Sequence, residues 1–250
     1  MSLRAPNLKI LVVVIAYNAE KTIKNVIEDI PHEWVDEVII SDDDSIDKTY
    51  DICKKLPNIK VIKNKNNLQM GGNQKVVYNY AIENDADIIV QLHGDNQYDA
   101  SKIPDMIKPI IYSKADIVIG SRILGGLALE GGMPRYKYLG NCLLNFIQNY
   151  AFNLKLSDYA TGYKAFSKTA LKSIPYLKNR NDFIFDEQIN TQAVFFGFRI
   201  VQIGIPTKYF KEASSVNFLT SVHYGLWTVI TTLQFLLAKN KIFAPSFLSK

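Results

Sequence analysis

Polar residues follow two of the apolar runs in the first part of the chain. Ala16, Tyr17 and Asn18 come directly after the first run, and Asp42 and Asp43 end the second. Carboxylates at neighbouring strand ends can accept hydrogen bonds from the N–H of a nucleotide base and from ribose hydroxyls. Acidic and serine-rich segments are equally typical of a turn and N-cap ahead of a helix. These five residues are candidates for nucleoside binding, with helix capping as the alternative.

A second group of polar residues follows the fourth apolar run and contains His93, Gly94, Asp95 and Gln97. A carboxylate beside a small glycine lets a cation and a diphosphate approach the backbone, and Mg²⁺ or Mn²⁺ prefers oxygen ligands. Asp95 is therefore a candidate metal ligand, with capping of the next helix as the alternative. His93 is a second candidate, since imidazole can bind Mn²⁺; a structural hydrogen-bonding role is the other interpretation.

Arg122 follows the fifth apolar run. Its permanently charged guanidinium suits bidentate binding of a phosphate. A surface salt bridge is a comparable explanation for an arginine at this position.

The elements that must position these residues are strands alternating with helices. This alternation predicts an α/β fold with a mostly parallel sheet flanked by helices. We expect one domain over residues 1–220, with a nucleotide-binding half (1–122) and an acceptor half (123–220), and a C-terminal amphipathic or membrane-associated helix within 221–250. The predicted strands are 9–15, 37–41, 60–62, 87–92 and 116–119, and the predicted helices are 22–30, 47–56, 73–83, 103–112 and one starting near residue 135.

The order of the motifs is more specific than any one of them. Y-N, D-D-x-S-x-D, G-D-x-Q and G-S-R each stand at the end of a successive strand, and the chain resembles the family 2 glycosyltransferases over nearly its whole length. It is most similar to the bacterial and archaeal branch near the dolichol- and polyprenyl-phosphate sugar transferases. The later segments A-T-G-Y-K-A-F (160–166) and F-D-E-Q (185–188) carry the same resemblance.

The resemblance implies a GT-A fold and an inverting transfer of sugar from a nucleotide-diphosphate sugar, assisted by Mg²⁺ or Mn²⁺. By that resemblance Asp95 and Gln97 lie at the metal and the diphosphate. Asp186 matches the general base of members that use hydroxyl acceptors, and Glu187 is the second candidate for that role. Arg122 takes up charge on the leaving group.

The implied partners are a UDP- or GDP-sugar and either a lipid phosphate or a saccharide hydroxyl. His93 departs from the family, which has Asp at the first position of its metal motif. That departure motivates one alternative, a catalytically degenerate member of the family that binds nucleotide without turnover. A sugar-1-phosphate nucleotidyltransferase is another, although the Gly-rich N-terminal loop of that class is missing.

Composition excludes several other classes. The net charge of +5 comes from scattered lysines, so no nucleic-acid partner is expected. The two cysteines fit neither a redox pair nor a zinc site. The start of the chain lacks a signal peptide pattern, and the apolar segment 224–238 is shorter than the roughly 20 residues of a spanning helix. We expect a cytoplasmic protein in peripheral contact with the inner face of the membrane; packing of this helix on its own domain is the alternative.

Overall fold

Strands and helices alternate over the first 121 residues. The structure is a computed structural model and describes residues 7–209 and 218–249. This part of the chain contains β1 (Ile10–Ala16), α1 (Ile23–Glu28), β2 (Glu37–Asp42), α2 (Thr49–Cys53), β3 (Ile59–Lys63), α3 (Gln69–Glu83), β4 (Ile88–His93), α4 (Ile103–Ile111) and β5 (Ile117–Ser121). Each predicted strand is confirmed to within about two residues at either end.

Helices dominate the second half. It contains α5 (Leu127–Glu130), α6 (Arg135–Phe152), β6 (Lys164–Ser167), α7 (Lys168–Ser173), α8 (Phe185–Phe195), β7 (Ile200–Gly204) and α9 (Phe218–Lys239). Helix α6 begins at the residue that the sequence indicates.

One seven-stranded sheet runs through the molecule in the order β3-β2-β1-β4-β6-β5-β7. All neighbouring strands are parallel except β6, which is antiparallel to both β4 and β5. This arrangement confirms the predicted mostly parallel sheet flanked by helices. The sequence pattern does not indicate that β6 separates β4 from β5, because the segment around it lacks the regular alternation of the first half.

The core lies on both faces of the sheet. Every residue of β1 is buried, and its side chains alternate between two apolar clusters. Val12 and Val14 face the layer that contains α1 and α4, whereas Leu11 and Val13 face the layer that contains α3 and α8. Burial on both faces explains why this strand is a continuous apolar run rather than an alternating one.

Helix α3 begins four residues before its predicted start. Gly71 lies in its first turn, and glycine normally weakens a helix. Here it is required by close packing: an added Cβ would lie 2.5 Å from Phe185 Cβ and 2.8 Å from the carbonyl oxygen of Arg180. The tight contact brings the start of α8 against α3, next to the sheet edge.

Helix α9 occupies the region of the predicted C-terminal helix. Among the residues described, no helix combines the length and apolarity that crossing a membrane requires. The predicted division into domains stays a prediction, and parts of its first domain, residues 1–6 and 210–217, lie outside the described residues.

Candidate active site

The carboxyl ends of β1, β2 and β4 lie side by side at one edge of the sheet. Ala16 pairs with Asp42, and Ile15 pairs with His93. The loop after β4 is tied to the same edge, because the backbone N–H of Gly94 donates to the Ile15 carbonyl at 2.9 Å. Candidate residues that are distant in sequence therefore share one rim, here called the strand-end rim.

The loops after β1 and β2 form a single unit. Asn18, in left-handed backbone conformation (φ +51°), donates its N–H to Ser45 Oγ at 2.9 Å. Its side-chain oxygen accepts the N–H of Ile46 at 3.0 Å. Asn18 thus fastens the two loops together, while the Tyr17 ring remains half exposed beside them.

Asp42 and Asp43 are both buried but differ in their contacts. Asp43 Oδ1 accepts from Asn64 at 2.8 Å and from the Leu68 N–H at 2.9 Å, so it anchors the segment before α3. Burial raises the pKa of Asp43, against the opposing effect of these hydrogen bonds. Asp42 Oδ2 accepts only a long bond from the Ser45 N–H at 3.3 Å. No described residue hydrogen-bonds its buried Oδ1, which is therefore an acceptor suited to a ligand N–H.

Asp95 is a buried carboxylate on the loop after β4. Its Oδ1 accepts the N–H of Gln97 at 3.1 Å, which fixes the loop around it. The described residues contain no group of three or more His, Cys, Asp or Glu side chains able to hold a metal ion. Mg²⁺ and Mn²⁺ sites that use one carboxylate take their other ligands from substrate phosphates and water. The donor set here fits that arrangement, and Asp95 stays the predicted protein ligand.

His93 makes a packing contact. Its ring lies against Gly162, and a Cβ added to Gly162 would lie well inside 3.0 Å of both Nε2 and Cε1. Nε2 is buried, and no described residue hydrogen-bonds it. Burial lowers the pKa of His93, although the Asp95 carboxylate opposes the shift. The imidazole is thus packed against the backbone of Gly162 through Nε2 and Cε1, and its role as a metal ligand stays a prediction.

Arg122 is held by a buried carboxylate. Its Nε donates to Asp158 Oδ2 at 2.8 Å and its Nη2 to Asp158 Oδ1 at 2.9 Å, and Nη2 also donates to the Ala160 carbonyl at 2.5 Å. Burial disfavours the charged guanidinium, but Asp158 more than offsets this and raises the pKa of Arg122. Among the described residues, the only contact of Nη1 is a long one to the Tyr209 hydroxyl at 3.4 Å. The edge expected to bind phosphate in a bidentate manner is therefore occupied by Asp158, and Nη1 is the part left for a ligand.

Asp186 is engaged through both of its oxygens. Oδ1 accepts from the fully buried Lys164 Nζ at 2.6 Å, and Oδ2 accepts from Gln74 Nε2 at 3.3 Å. Lys164 also donates to the Thr161 carbonyl at 2.5 Å. The carboxylate is thus paired with the Lys164 ammonium.

Glu187 points in a different direction from Asp186. Gln148 of α6 donates to it at 2.6 Å, and the Tyr224 hydroxyl of α9 donates to its other oxygen. Burial raises the pKa of Glu187, against the opposing effect of these two hydrogen bonds. Glu187 links α8 to α6 and α9, and it is not among the residues that line the cavity described next.

A cavity of about 670 Å³ lies between the strand-end rim and the helices α6 and α9. Its lining combines charged and polar residues with apolar residues, most of which come from α6 and α9. The charged and polar part includes His93, Asp95, Gln97, Arg122, Lys137 and Asp186; the apolar part includes Met133, Tyr136, Leu143, Leu144 and Val222, of which Tyr136, Leu143 and Val222 are exposed. Ala16, Tyr17, Asn18, Asp42 and Asp43 do not line it, so the rim has a second region at the ends of β1 and β2, and Asp95 stands on the cavity side of it.

Sequence reasoning misses three polar residues of this site. Asp158 lies 36 positions after Arg122, and no spacing rule connects them. Lys164 carried a usable signal, because a lysine in a buried strand requires an anionic partner. Gln74 lies on α3, 112 positions before Asp186, and the two side chains meet only through the three-dimensional packing.

The sequence of this chain is similar to those of known glycosyltransferases. An archaeal protein named UDP-N-acetylglucosamine–dolichyl-phosphate N-acetylglucosaminyltransferase, from Methanococcus voltae, is 36% identical over 179 residues, which is 65% of this chain and 71% of that protein. Glycosyltransferase AglJ of Haloferax volcanii is 27% identical over 154 residues, covering 61% of this chain and 48% of the relative.

Solved structures share the fold. Glucosyl-3-phosphoglycerate synthase from Mycobacterium tuberculosis, crystallised with Mn²⁺, UDP and phosphoglyceric acid, superposes with a TM-score of 0.68 at 17% identity, over 96% of this chain and 80% of that one. At this identity the likeness concerns the fold alone and confirms it as GT-A. Residues 11–174 match the family described as Glycosyl transferase family 2. The chain therefore belongs to family 2 of the glycosyltransferases and is an enzyme of that kind.

Proposed function

We propose that this enzyme transfers a sugar from a nucleotide-diphosphate sugar to a polyprenyl phosphate, with inversion at the anomeric carbon and with a divalent cation bound at Asp95. The observation that carries the proposal is the cavity, whose lining combines the buried carboxylates Asp95 and Asp186 with exposed apolar residues of α6 and α9, among them Leu143 and Val222. A phosphate head on a hydrocarbon chain has the same distribution of polarity. The name of the Methanococcus relative, with dolichyl phosphate as acceptor, agrees with this.

The donor side uses the region at the ends of β1 and β2. Asp42 Oδ1, which no described residue hydrogen-bonds, accepts a hydrogen bond from the base or ribose, and the Tyr17 ring is exposed for contact with the nucleoside. Asp43 and Asn18 act by holding the loops in position. The nucleotide is a UDP or a GDP carrier, and the Methanococcus relative is named for a UDP-sugar.

The diphosphate extends toward Asp95. A divalent cation there would neutralise charge on the departing nucleoside diphosphate. Gln97 fixes the Asp95 carboxylate through its backbone N–H. Arg122 contributes the charge of its Nη1 group from a position fixed by Asp158.

The acceptor side needs a group that binds an anion. Lys137 lines the cavity, and its pKa is lowered by burial and then by the neighbouring positive charge of Arg122. Two cations brought together in one cavity favour binding of a negatively charged ligand. A phosphate oxygen then attacks the anomeric carbon, the new carbon–oxygen bond forms, and the bond from that carbon to the diphosphate oxygen breaks with the electron pair on the leaving diphosphate.

This attack requires no proton transfer, because a phosphate acceptor is already ionised near neutral pH. The pairing of Asp186 with Lys164 and Gln74 is consistent with that requirement, since a phosphate acceptor lets the carboxylate keep both hydrogen bonds through the reaction. Asp186 then acts as a positioning residue at the cavity wall, and Glu187 holds the helices together.

A transfer assay tests the proposal. Purified enzyme is incubated with UDP- and GDP-sugars, Mn²⁺ and a short-chain polyprenyl phosphate, and the corresponding polyprenol serves as the matched hydroxyl acceptor. We expect a glycosylated lipid phosphate that disappears with EDTA and is not formed from the polyprenol. Transfer to the alcohol but not to the phosphate, or nucleotide binding without any transfer, would refute it.

A further inference from the structure

Helix α6 has its polar and apolar sides reversed relative to a water-facing helix. Its buried residues include the polar Asn145 and Gln148. Its exposed apolar residues recur every three or four positions and therefore lie along one side of the helix. They are Tyr136, Leu139, Leu143, Phe146 and Tyr150, the last of which is 87% exposed.

Helix α9 repeats this reversal. Thr228, Thr231 and Thr232 are buried, while leucines and a valine are exposed. Their spacing again defines one side of a helix. They are Leu219, Val222, Leu226, Leu233 and Leu237.

The two exposed rows meet at the mouth of the cavity. Helices α6 and α9 pack against each other. Leu143 from one row and Val222 from the other are both exposed and both line the cavity. We refer to the two rows together as the α6–α9 face. Contiguous apolar surface of this kind on a protein marks an interaction site.

The charges on these helices indicate what covers the face. Helices α6 and α9 together contain no Asp or Glu, and their charged residues are Arg135, Lys137 and Lys239. An apolar face combined with basic residues at the helix ends is typical of helices that lie in the plane of a membrane surface. A second copy of the chain would bring like charges together on this face, which disfavours self-association.

We infer that the α6–α9 face lies on an anionic lipid bilayer. The face would seat the helices at the level of the lipid head groups without spanning the membrane, in agreement with their length and apolarity. This deepens the proposed function and rests on it in one respect: the cavity opens toward the membrane, so that an acceptor phosphate enters while its chain stays in the lipid.

Vesicle flotation tests the inference with the whole chain. Vesicles of phosphatidylcholine alone are compared with vesicles that also contain phosphatidylglycerol. We expect binding to the mixed vesicles that weakens as salt is added. The double variant Phe146→Ser, Tyr150→Ser should lower the partition constant at least about tenfold, because burial of each aromatic ring in lipid is worth that much or more.

The matched control is the double variant Tyr112→Ser, Leu177→Ser, which removes two exposed apolar residues that lie on neither α6 nor α9. We expect it to bind vesicles like the wild type. Equal binding by both double variants would overturn the inference. The inference would also be overturned if the wild-type chain did not bind vesicles but formed a dimer. Light scattering would have to show this dimer for the wild type and not for the Phe146→Ser, Tyr150→Ser variant.

A second readout separates this inference from the proposed function. The Phe146→Ser, Tyr150→Ser variant should retain transfer to a water-soluble short-chain lipid phosphate and lose transfer to a long-chain acceptor in vesicles. If no acceptor is glycosylated by any variant, the proposed function fails, while the flotation result still decides whether the face binds lipid.

Discussion

The contact between His93 and Gly162 gives a sharp test of the site, because a single methyl group should disrupt it. In Gly162→Ala the new Cβ would lie well inside 3.0 Å of two ring atoms and 3.2 Å from a third, Cδ2. The backbone cannot easily move away. The Gly162 N–H donates to the Tyr98 hydroxyl at 2.9 Å, and Gln91 donates to the Gly162 carbonyl at 3.0 Å.

Overpacking of a fixed core position lowers the free energy of unfolding by about 1–3 kcal/mol. For a chain of this size each kcal/mol corresponds to a fall in Tm of about 2–4 °C. In a His93→Ala background the ring is gone, so the same Gly162→Ala change should cost less than about 0.5 kcal/mol. The double-mutant cycle should therefore give a coupling free energy of at least about 1 kcal/mol.

Denaturant unfolding of the wild type, both single variants and the double variant measures this coupling. Gly140→Ala is a matched control, because nothing lies within 4 Å of the added methyl group in helix α6. We expect it to be neutral or slightly stabilising. Additive free energies in the cycle would refute the packing role of His93. Loss of the Mn²⁺ effect on UDP binding in His93→Ala would instead make His93 a metal ligand.

Three other substitutions test the carboxylates. Asp95→Asn should abolish the Mn²⁺-dependent gain in UDP binding seen by calorimetry, whereas Asp99→Asn, which alters a helix cap on the same loop, should not; equal effects would exclude Asp95 as the ligand. Asp186→Asn should keep turnover on a polyprenyl phosphate within about tenfold, although it weakens the pair with Lys164, and a loss above about 100-fold would indicate a general base. The raised pKa of Glu187 means that this group stabilises the fold below its unfolded-state pKa of about 4.3 and that this contribution is lost as the pH rises through the folded value. The free energy of unfolding of Glu187→Gln relative to wild type should therefore increase between about pH 4 and pH 8, and a difference that stays constant or falls would contradict this.

The fold of the first half could be predicted because its strands are buried on both faces. A strand such as β1 must then be apolar throughout. In the sequence it is a continuous run of apolar residues, followed by the polar residues of the rim. Strand β6 has only four residues and pairs through contacts distant in sequence, so its local pattern is weak. The predicted start of α3 is wrong for a related reason, since Gly71 weakens the helical pattern locally while tertiary packing requires it.

The sequence could predict the candidate site residues that directly follow a strand. Asp42 and Asp95 could be found because the carboxyl ends of parallel strands share one edge. The partners of the charged residues could not be found in this way. Asp158 determines how much of the Arg122 guanidinium is left to bind a ligand. In the same way, the ion pair with Lys164 bears on whether Asp186 can act as a base. Such pairing depends on three-dimensional distance, which residue types and spacing do not encode.

The position of β6 between β4 and β5 has a consequence for the order in which the molecule can assemble. A chain emerging from the ribosome can pair β1, β2, β3 and β4 as soon as residue 93 has left the exit tunnel, because these four strands are mutual neighbours. Strand β5, in contrast, borders only β6 and β7, which are synthesised later. A nascent or shortened chain that ends soon after residue 121 would carry β5 as an apolar strand with no neighbour, open to pairing with other chains. Shortened versions for expression should end before β5 or continue beyond β7.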